Sequence, residues 1–417
     1  MKIATFDMKI GYIFTTFPSR SEIFAVREIE ELTGLGFDIT VLAASPPINA
    51  DKNPKIAKIL YRPALLSQDT FTSIGYILMT SPLAIIKLFG LILKLAWLSP
   101  REAILITGNL HTICCFAKYL HQHHIAHIHA YFLSWPACIG LSLAKITNLP
   151  FSIAAHARDI FVEHGAVKFK LSHANFIVTC TQQGLKHLKS ILPKKYHPKL
   201  YLNRHGIKVN QERFGYHKKN LLDTDAELTV IAVGRLIEKK GFSDLIFAFA
   251  NVVQDDPKLK LMIVGEGPLR KHLNELIRRL TLENYVHLLG WQKPDLTLRL
   301  IEQAAVLVVP SIIANDGDRD GIPQVILEAF ACGTTVIAGN LEGISEAVEH
   351  YKTGLLVNSG NIRGLSSAIR ELLNNQDLRD YLSRNAYQTL KQRFNLEDNT
   401  MQLARLFVET NRCSKKQ

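Results

Sequence analysis

Cysteine is sparse and unpatterned in this chain of 417 residues: there are six, Cys114 and Cys115 are adjacent, and no Cys-x-x-Cys occurs. That excludes a disulfide framework and implies reduced thiols and a cytosolic chain. Acids are scarce in the first half. Residues 1–215 hold 24 of the 49 Lys and Arg but only 12 of the 37 Asp and Glu, leaving 25 of each for the rest, so the whole net charge of +12 belongs to the first half. A basic half joined to a neutral one points to an anionic partner, either phospholipid headgroups or a pyrophosphate-linked acceptor. Aromatic residues interleaved with Arg are lacking, which argues against nucleic acid. The start, Met1 to Asp7, lacks an uninterrupted apolar core and a small-residue cleavage site, so no signal peptide is expected.

What is present is apolar residue in quantity. At 47% hydrophobic content the chain is neither disordered nor fibrous, and its length suits two domains. Ile10 to Phe14 reads as a strand, Glu22 to Leu35 as a helix and Asp38 to Ala43 as a second strand, the opening of a doubly wound α/β domain whose ligands gather at the carboxyl ends of strands. The turn between them, Phe17-Pro18-Ser19-Arg20-Ser21-Glu22, falls where a ligand lies, although Ser19 and Ser21 also suit a plain helix N-cap. Leu228 to Arg235, Leu261 to Val264, Val286 to Trp291 and Ala304 to Pro310 repeat the strand signal in the second half.

The last of these runs leads into Asp320-Gly321-Ile322-Pro323-Gln324-Val325-Ile326-Leu327-Glu328-Ala329-Phe330-Ala331-Cys332-Gly333, followed by another apolar run, Thr334 to Gly339. Pro323 suits a first helical turn, and the amides after Asp320 and Gly321 should then face out unpaired, attracting an anion. Glu328, amid apolar neighbours, needs a hydrogen-bonding partner, and a sugar hydroxyl is one. A helix-start acid and a surface glutamate explain the same residues without a ligand.

Two acids eight positions apart around Gly-x-Pro, then Ala-x-Ala-x-Gly, resemble the paired-acid signature of glycosyltransferase family 4, retaining enzymes of the GT-B fold. Asp320 stands where that family mostly has Glu, and Thr335 where Pro is usual. Phe17, Pro18, Ser21, Glu22, Phe24, Arg27 and Glu28 resemble the branch of exopolysaccharide and colanic-acid-type transferases, which lacks the paired glycines common elsewhere in this loop. The resemblance covers most of the chain and is most specific from Val233 to Gly339. It implies two Rossmann-like domains facing a central cleft, an acceptor-binding domain over 1–205, a nucleotide-sugar-binding domain over 206–390 and a helix over 391–417 returning to the first. Asn203 to Ile207 resembles the junction, with a polar linker from Lys208 to Asp225.

Carried over residue by residue, the resemblance assigns Asp320, His156 and Glu328 to catalysis. It assigns Arg235, Lys240, Gly265, Glu266, Trp291, Gly321, Ile322, Pro323, Gln324 and Glu328 to the donor, and Ser19, Arg20, Ser21, His129 and Arg158 to the acceptor. Arg235 and Lys240, five positions apart after a strand, suit a diphosphate, which needs cations converging from different directions; surface charge is the plain alternative. His156 is equally readable as a helix cap. No cofactor beyond the nucleotide-sugar substrate is implied. No metal is implied either, because these cations and amides neutralise the leaving diphosphate and no Asp-x-Asp is expected to hold an ion at a strand end. The histidines from His121 to His129 mix helix-end and strand positions without a Cys or carboxylate, which argues against a metal centre.

Phe71 to Leu98 is apolar apart from Lys87 and Lys94, long enough to span a bilayer were it not for Pro82 and a mid-segment lysine. Lys87, Lys94 and Arg101 repeat every seven residues and would form one basic stripe on a continuous helix. A core helix with one solvent stripe and a helix lying among lipid headgroups both fit. The expected function is transfer of a sugar from a nucleotide-diphosphate sugar to a lipid-linked or saccharide acceptor, on the inner face of the membrane, with domain closure aligning the substrates. Rivals are a nucleotide-sugar epimerase of the same fold, which would turn over donor alone, and an inactive membrane-surface binding protein.

Overall fold

The computed structural model describes residues 6–19, 22–47, 58–162, 165–209 and 228–414. Apolar runs bounded by turn residues become strands, and the strands assemble into two all-parallel sheets. The first contains β1 (Met8–Thr16), β2 (Phe37–Ser45), β3 (Lys58–Tyr61), β4 (His127–Tyr131), β5 (Phe151–Ala155), β6 (Phe176–Thr179) and β7 (Leu200–Leu202), in the order β3-β2-β1-β4-β5-β6-β7. The second contains β8 (Thr229–Val233), β9 (Lys260–Val264), β10 (Val286–Gly290), β11 (Val306–Val309), β12 (Thr335–Gly339) and β13 (Leu355–Val357), ordered β10-β9-β8-β11-β12-β13. Parallel sheets must be covered on both faces. The alternation along β11 shows it: Val306 and Val308 enter one core, Leu307 and Val309 the other.

The chain divides into two compact units, one of Met1–His205 with Leu396–Gln417 and one of Gly206–Asn395. In the first, Ile10, Tyr12 and Phe14 of β1 face a core closed by the helices Ile23–Gly34 and Leu396–Ser414, and Ile13 faces the larger core opposite. Leu403, Ala404 and Phe407 of the last helix have no exposed surface. Within the second unit, Ile207 N–H donates to the Phe394 carbonyl at 3.1 Å, and Phe394 is wholly buried. Most of the linker expected from Lys208 to Asp225 lies outside the described residues, as do Arg20 and Ser21.

Sheet order reverses between β1 and β4 in the first unit and between β8 and β11 in the second. Such reversals leave a crevice at the carboxyl ends of the flanking strands, where ligands of this architecture bind.

The apolar stretch from Phe71 to Leu98 is not one rod. It forms two helices, Gln68–Thr80 and Pro82–Leu98, bent by 105°, and Ser99 breaks the chain again before Pro100–Gly108. Pro82 can neither donate the helical hydrogen bond nor clear the preceding turn. Arg101 therefore belongs to the third helix, and the continuous basic stripe does not form.

Candidate active site

The geometry is densest where β8 and β11 of the second unit end. β8 runs into Gly234 and the exposed Arg235, then into a short turn, Glu238–Lys240, closed by Gly241. Gly241 has φ of 64°, and a Cβ there would lie 2.0 Å from the Pro310 carbonyl oxygen, so the loop after β8 lies against the residue that follows β11. Ile312 N–H donates to the Lys239 carbonyl at 2.9 Å, and Asn315 N–H to Glu238 Oε1 at 3.3 Å.

Charge follows this lacing. Lys240 Nζ and Ser311 Oγ each donate to Asp320 Oδ2 at 2.7 Å, while Lys239 Nζ sits 3.5 Å from Asp320 Oδ1 and 3.0 Å from Asp318 Oδ1. All of these groups are at least largely buried. Burial pushes the Asp320 carboxyl up, but Lys240 and then Lys239, with the hydrogen bonds from Lys240 and Ser311, outweigh it and hold the group below the ordinary aspartate range. Asp320 is thus a fixed carboxylate. Asp316-Gly317-Asp318-Arg319-Asp320 does carry the Asp-x-Asp spacing discounted from sequence, and two of its three carboxylates are occupied by lysine.

The helix after Asp320 runs Gln324–Cys332 and stops at Gly333, whose φ of 81° suits glycine. Pro323 is the residue before its first turn rather than in it, and no side chain caps the helix. Its leading amides have no intrahelical acceptor and carry the positive end of the peptide dipoles. Gln324 Oε1 is buried with no hydrogen-bond partner, an acceptor that a ligand donor would satisfy. Glu328 is half-buried on the second turn.

Three further donor candidates sit at the ends of β9 and β10. A Cβ on Gly265 would meet the Gly234 carbonyl oxygen at 1.8 Å, so only glycine allows the loops after β8 and β9 to touch there. Gly265 N–H donates to the Gly290 carbonyl at 2.8 Å, which places half-buried Trp291 beside this loop. Glu266 is exposed and bound by Arg270 Nη1 at 2.7 Å. The strand ends thus gather Arg235, Lys240, Gly265, Glu266, Trp291 and residues 320–328 on one edge. Lys239, Ser311 and Asp318 were not singled out from sequence; the doubled lysine and the serine two residues past β11 were the available signals.

The first unit has its own cluster at the reversal beside β4. His156 Nε2 lies 3.1 Å from His205 Nε2 with the rings parallel, and Phe24, Tyr131 and Phe132 surround His156 at centroid distances of 5.6, 5.1 and 4.6 Å. Burial, then the neighbouring imidazoles, push His156 well below its ordinary value, and burial alone takes His205 to about 4, so both rings are neutral near pH 7 and one donates to the other. His156 Nδ1 is buried without a hydrogen-bond partner, and Asp159 Oδ2, 3.9 Å away, instead accepts from the His156 main-chain N–H at 3.2 Å. Arg158 is exposed on the next turn, and Ser19 is half-buried at the end of the β1 loop, its carbonyl accepting from Glu22 N–H at 3.0 Å. Glu22, not Ser19, occupies the N-cap position of the helix Ile23–Gly34, and no side chain caps it.

His129 does not belong to this surface. It has no exposed area, shares Ser152 Oγ with His127 at 2.7 Å each, and packs edge-on against Phe407. The expectation that it contacts an acceptor is corrected: a strand covered on both faces turns alternate residues inward, and the last helix covers this one.

Comparison with known proteins places these arrangements. Residues 214–389 match the family Glycosyl transferases group 1. The amylovoran biosynthesis glycosyltransferase AmsK of Erwinia amylovora is 28% identical over 82% of this chain and 85% of its own length. The putative colanic acid biosynthesis glycosyltransferase WcaL of Escherichia coli is 25% identical over 83% of this chain and 86% of its own. Among solved structures, sucrose-phosphate synthase from Thermosynechococcus elongatus superposes with a TM-score of 0.73 at 20% identity, over 96% of this chain and 98% of that one. The Anabaena protein HepE, in complex with UDP and glucose, gives 0.67 at 19% identity, over 96% and 100%. These likenesses make the two-sheet architecture a GT-B fold, in which residues 214–389 match the Glycosyl transferases group 1 model.

Proposed function

We propose that this chain moves a sugar from a nucleotide-diphosphate sugar to a lipid-linked or saccharide acceptor in cell-surface polysaccharide assembly, with retention at the anomeric carbon and without a divalent ion. The observation that carries the reading is the convergence of Lys240, Lys239 and Ser311 on a buried, ionised Asp320 at the strand ends of a group 1 domain. Lys240 and Arg235 are the cations for the leaving diphosphate, aided by the amides ahead of the Gln324–Cys332 helix. Asp320, held by Ser311 and Lys239, accepts from a donor-sugar hydroxyl. Gln324 Oε1 is a second acceptor nearby, and Glu328 receives the ribose. The acceptor hydroxyl attacks on the face the diphosphate leaves, and the leaving oxygen takes its proton. In the first unit His156 and Arg158 are the groups offered to the substrates.

The names of AmsK and WcaL support the polysaccharide setting, and the HepE complexes put UDP-sugars first among donors to try. The test is a thermal-shift panel of UDP- and GDP-sugars, followed by turnover of the best donor with and without acceptor in the presence of a chelator. Asp320→Asn and Lys240→Ala are each expected to lower turnover by roughly a hundredfold while the fold persists. Product of inverted configuration, turnover abolished by chelation, or conversion of donor alone to an epimer would each replace this reading.

A further inference from the structure

The helix Pro82–Leu98 buries Ala84, Leu88, Leu91 and Leu95 against the first unit. At 100° per residue, the opposite side carries Ile86, Phe89, Leu93 and Trp97, which are 68, 60, 56 and 89% exposed. Met79 and Leu83, on either side of the bend, are 87 and 69% exposed, and Phe71 and Leu78 of the preceding helix 62 and 51%. A helix that is apolar all round belongs in an apolar medium, and a surface of this extent marks an interaction site. Its lysines sit on the flank: Lys87 Nζ donates to Asn148 Oδ1 at 2.7 Å, and Lys94 Nζ lies 4.9 Å from the centre of the Phe169 ring.

We propose that the outward face of this helix inserts into the headgroup–acyl boundary of an anionic lipid leaflet, with the helix lying in the membrane plane. Charge identifies the occupant. From residue 58 to 104 the exposed charged residues are Lys58, Arg62, Lys87, Lys94 and Arg101 against Asp69, because Glu102 is buried against Lys170. This basic rim matches anionic headgroups. A second copy docked on the same face across a twofold axis would set rim against rim, like charge on like. No helix among the described residues is long and apolar enough to cross a membrane, and the 105° bend keeps the two apolar helices from acting as one straight span. Docking is therefore by the apolar side chains, with the lysines at the edge, rather than by a basic stripe laid on the surface. The inference stands apart from the transfer reading, and its test needs no turnover.

The full chain is floated with vesicles of phosphatidylcholine, with and without phosphatidylglycerol, at low and high salt, beside the triple variant Ile86→Ser/Phe89→Ser/Leu93→Ser. Trp97 emission, assigned among the three tryptophans by Trp97→Phe, is followed with brominated acyl chains. The parent is expected to float with anionic vesicles and to stay largely bound at high salt. Its Trp97 emission should move to shorter wavelength and be quenched, and the folded triple variant should partition roughly tenfold less or weaker still. Should the triple variant unfold, quenching of Trp97 in the parent decides. The proposal is overturned if the folded parent ignores vesicles, if salt releases it with Trp97 unquenched, or if the folded triple variant floats undiminished. It is equally overturned by a parent that is dimeric in light scattering, becomes monomeric in the triple variant and leaves vesicles alone.

Discussion

Single ionisable groups in the first unit set opposing responses to pH. Glu28 is buried between the Tyr12 and Tyr131 hydroxyls, which donate to it at 3.2 and 3.4 Å. Burial raises its carboxyl to about 7, against the smaller lowering by those two hydrogen bonds. The folded state therefore holds this proton more tightly than the unfolded one, and its contribution to stability is full below about 4.5 and lost as pH rises to about 7. The stability of the parent minus that of Glu28→Gln should fall by roughly 3 kcal/mol across that window, read by denaturant titration at each pH. The buried imidazoles work the other way. Burial takes His129 to about 3 and His205 to about 4, and His127 and His156 are also held well down, so their contribution is present above about 6.5 and is lost on acidification through those values. Net stability should drop below pH 6.5, and more steeply in Glu28→Gln than in the parent.

At the scale of elements, the strand–helix–strand block from Val306 to Gly339 was legible because each piece carries its own local signal: a four-residue buried strand, a helix stopped by Gly333, a second buried run. The partners of Asp320 were only half legible. Lys239 and Ser311 meet it because β8 and β11 are neighbours in the sheet, and no periodicity around residue 240 announces a contact with residue 320. The inward turn of His129 was hidden for the same reason, since its cover begins at residue 396. The apolar segment after residue 68 showed Pro82 plainly, but not the second break at Ser99. Two predictions belong here. Gly241→Ala, driven against the Pro310 carbonyl, should part the β8 and β11 loops and weaken nucleotide-sugar binding by about tenfold, measured by calorimetry. Lys170, 2% exposed, donates to Glu102 Oε1 at 2.6 Å and also to the Leu133 carbonyl. Lys170→Met strands that carboxylate and should cost about 3 to 5 kcal/mol in denaturant unfolding of the first unit.

For the molecule as a whole, the polypeptide leaves its first unit at His205, builds the second, and re-enters the first at Leu396. Phe407 packs its edge on Tyr12, His127, His129 and Phe176. Phe407→Ala should destabilise the first unit by about 3 to 5 kcal/mol and leave amide protection in β8 to β13 unchanged by hydrogen exchange. The same route orders events on the ribosome. Domains made first ordinarily finish folding first. Here the amino-terminal sheet must wait, with part of one apolar face uncovered, until residues 396–414 are made, while the second unit has all of its residues at Asn395. A released chain cut just before residue 396 would carry the whole second unit on an unfinished neighbour, whose uncovered apolar face is a target for chaperones.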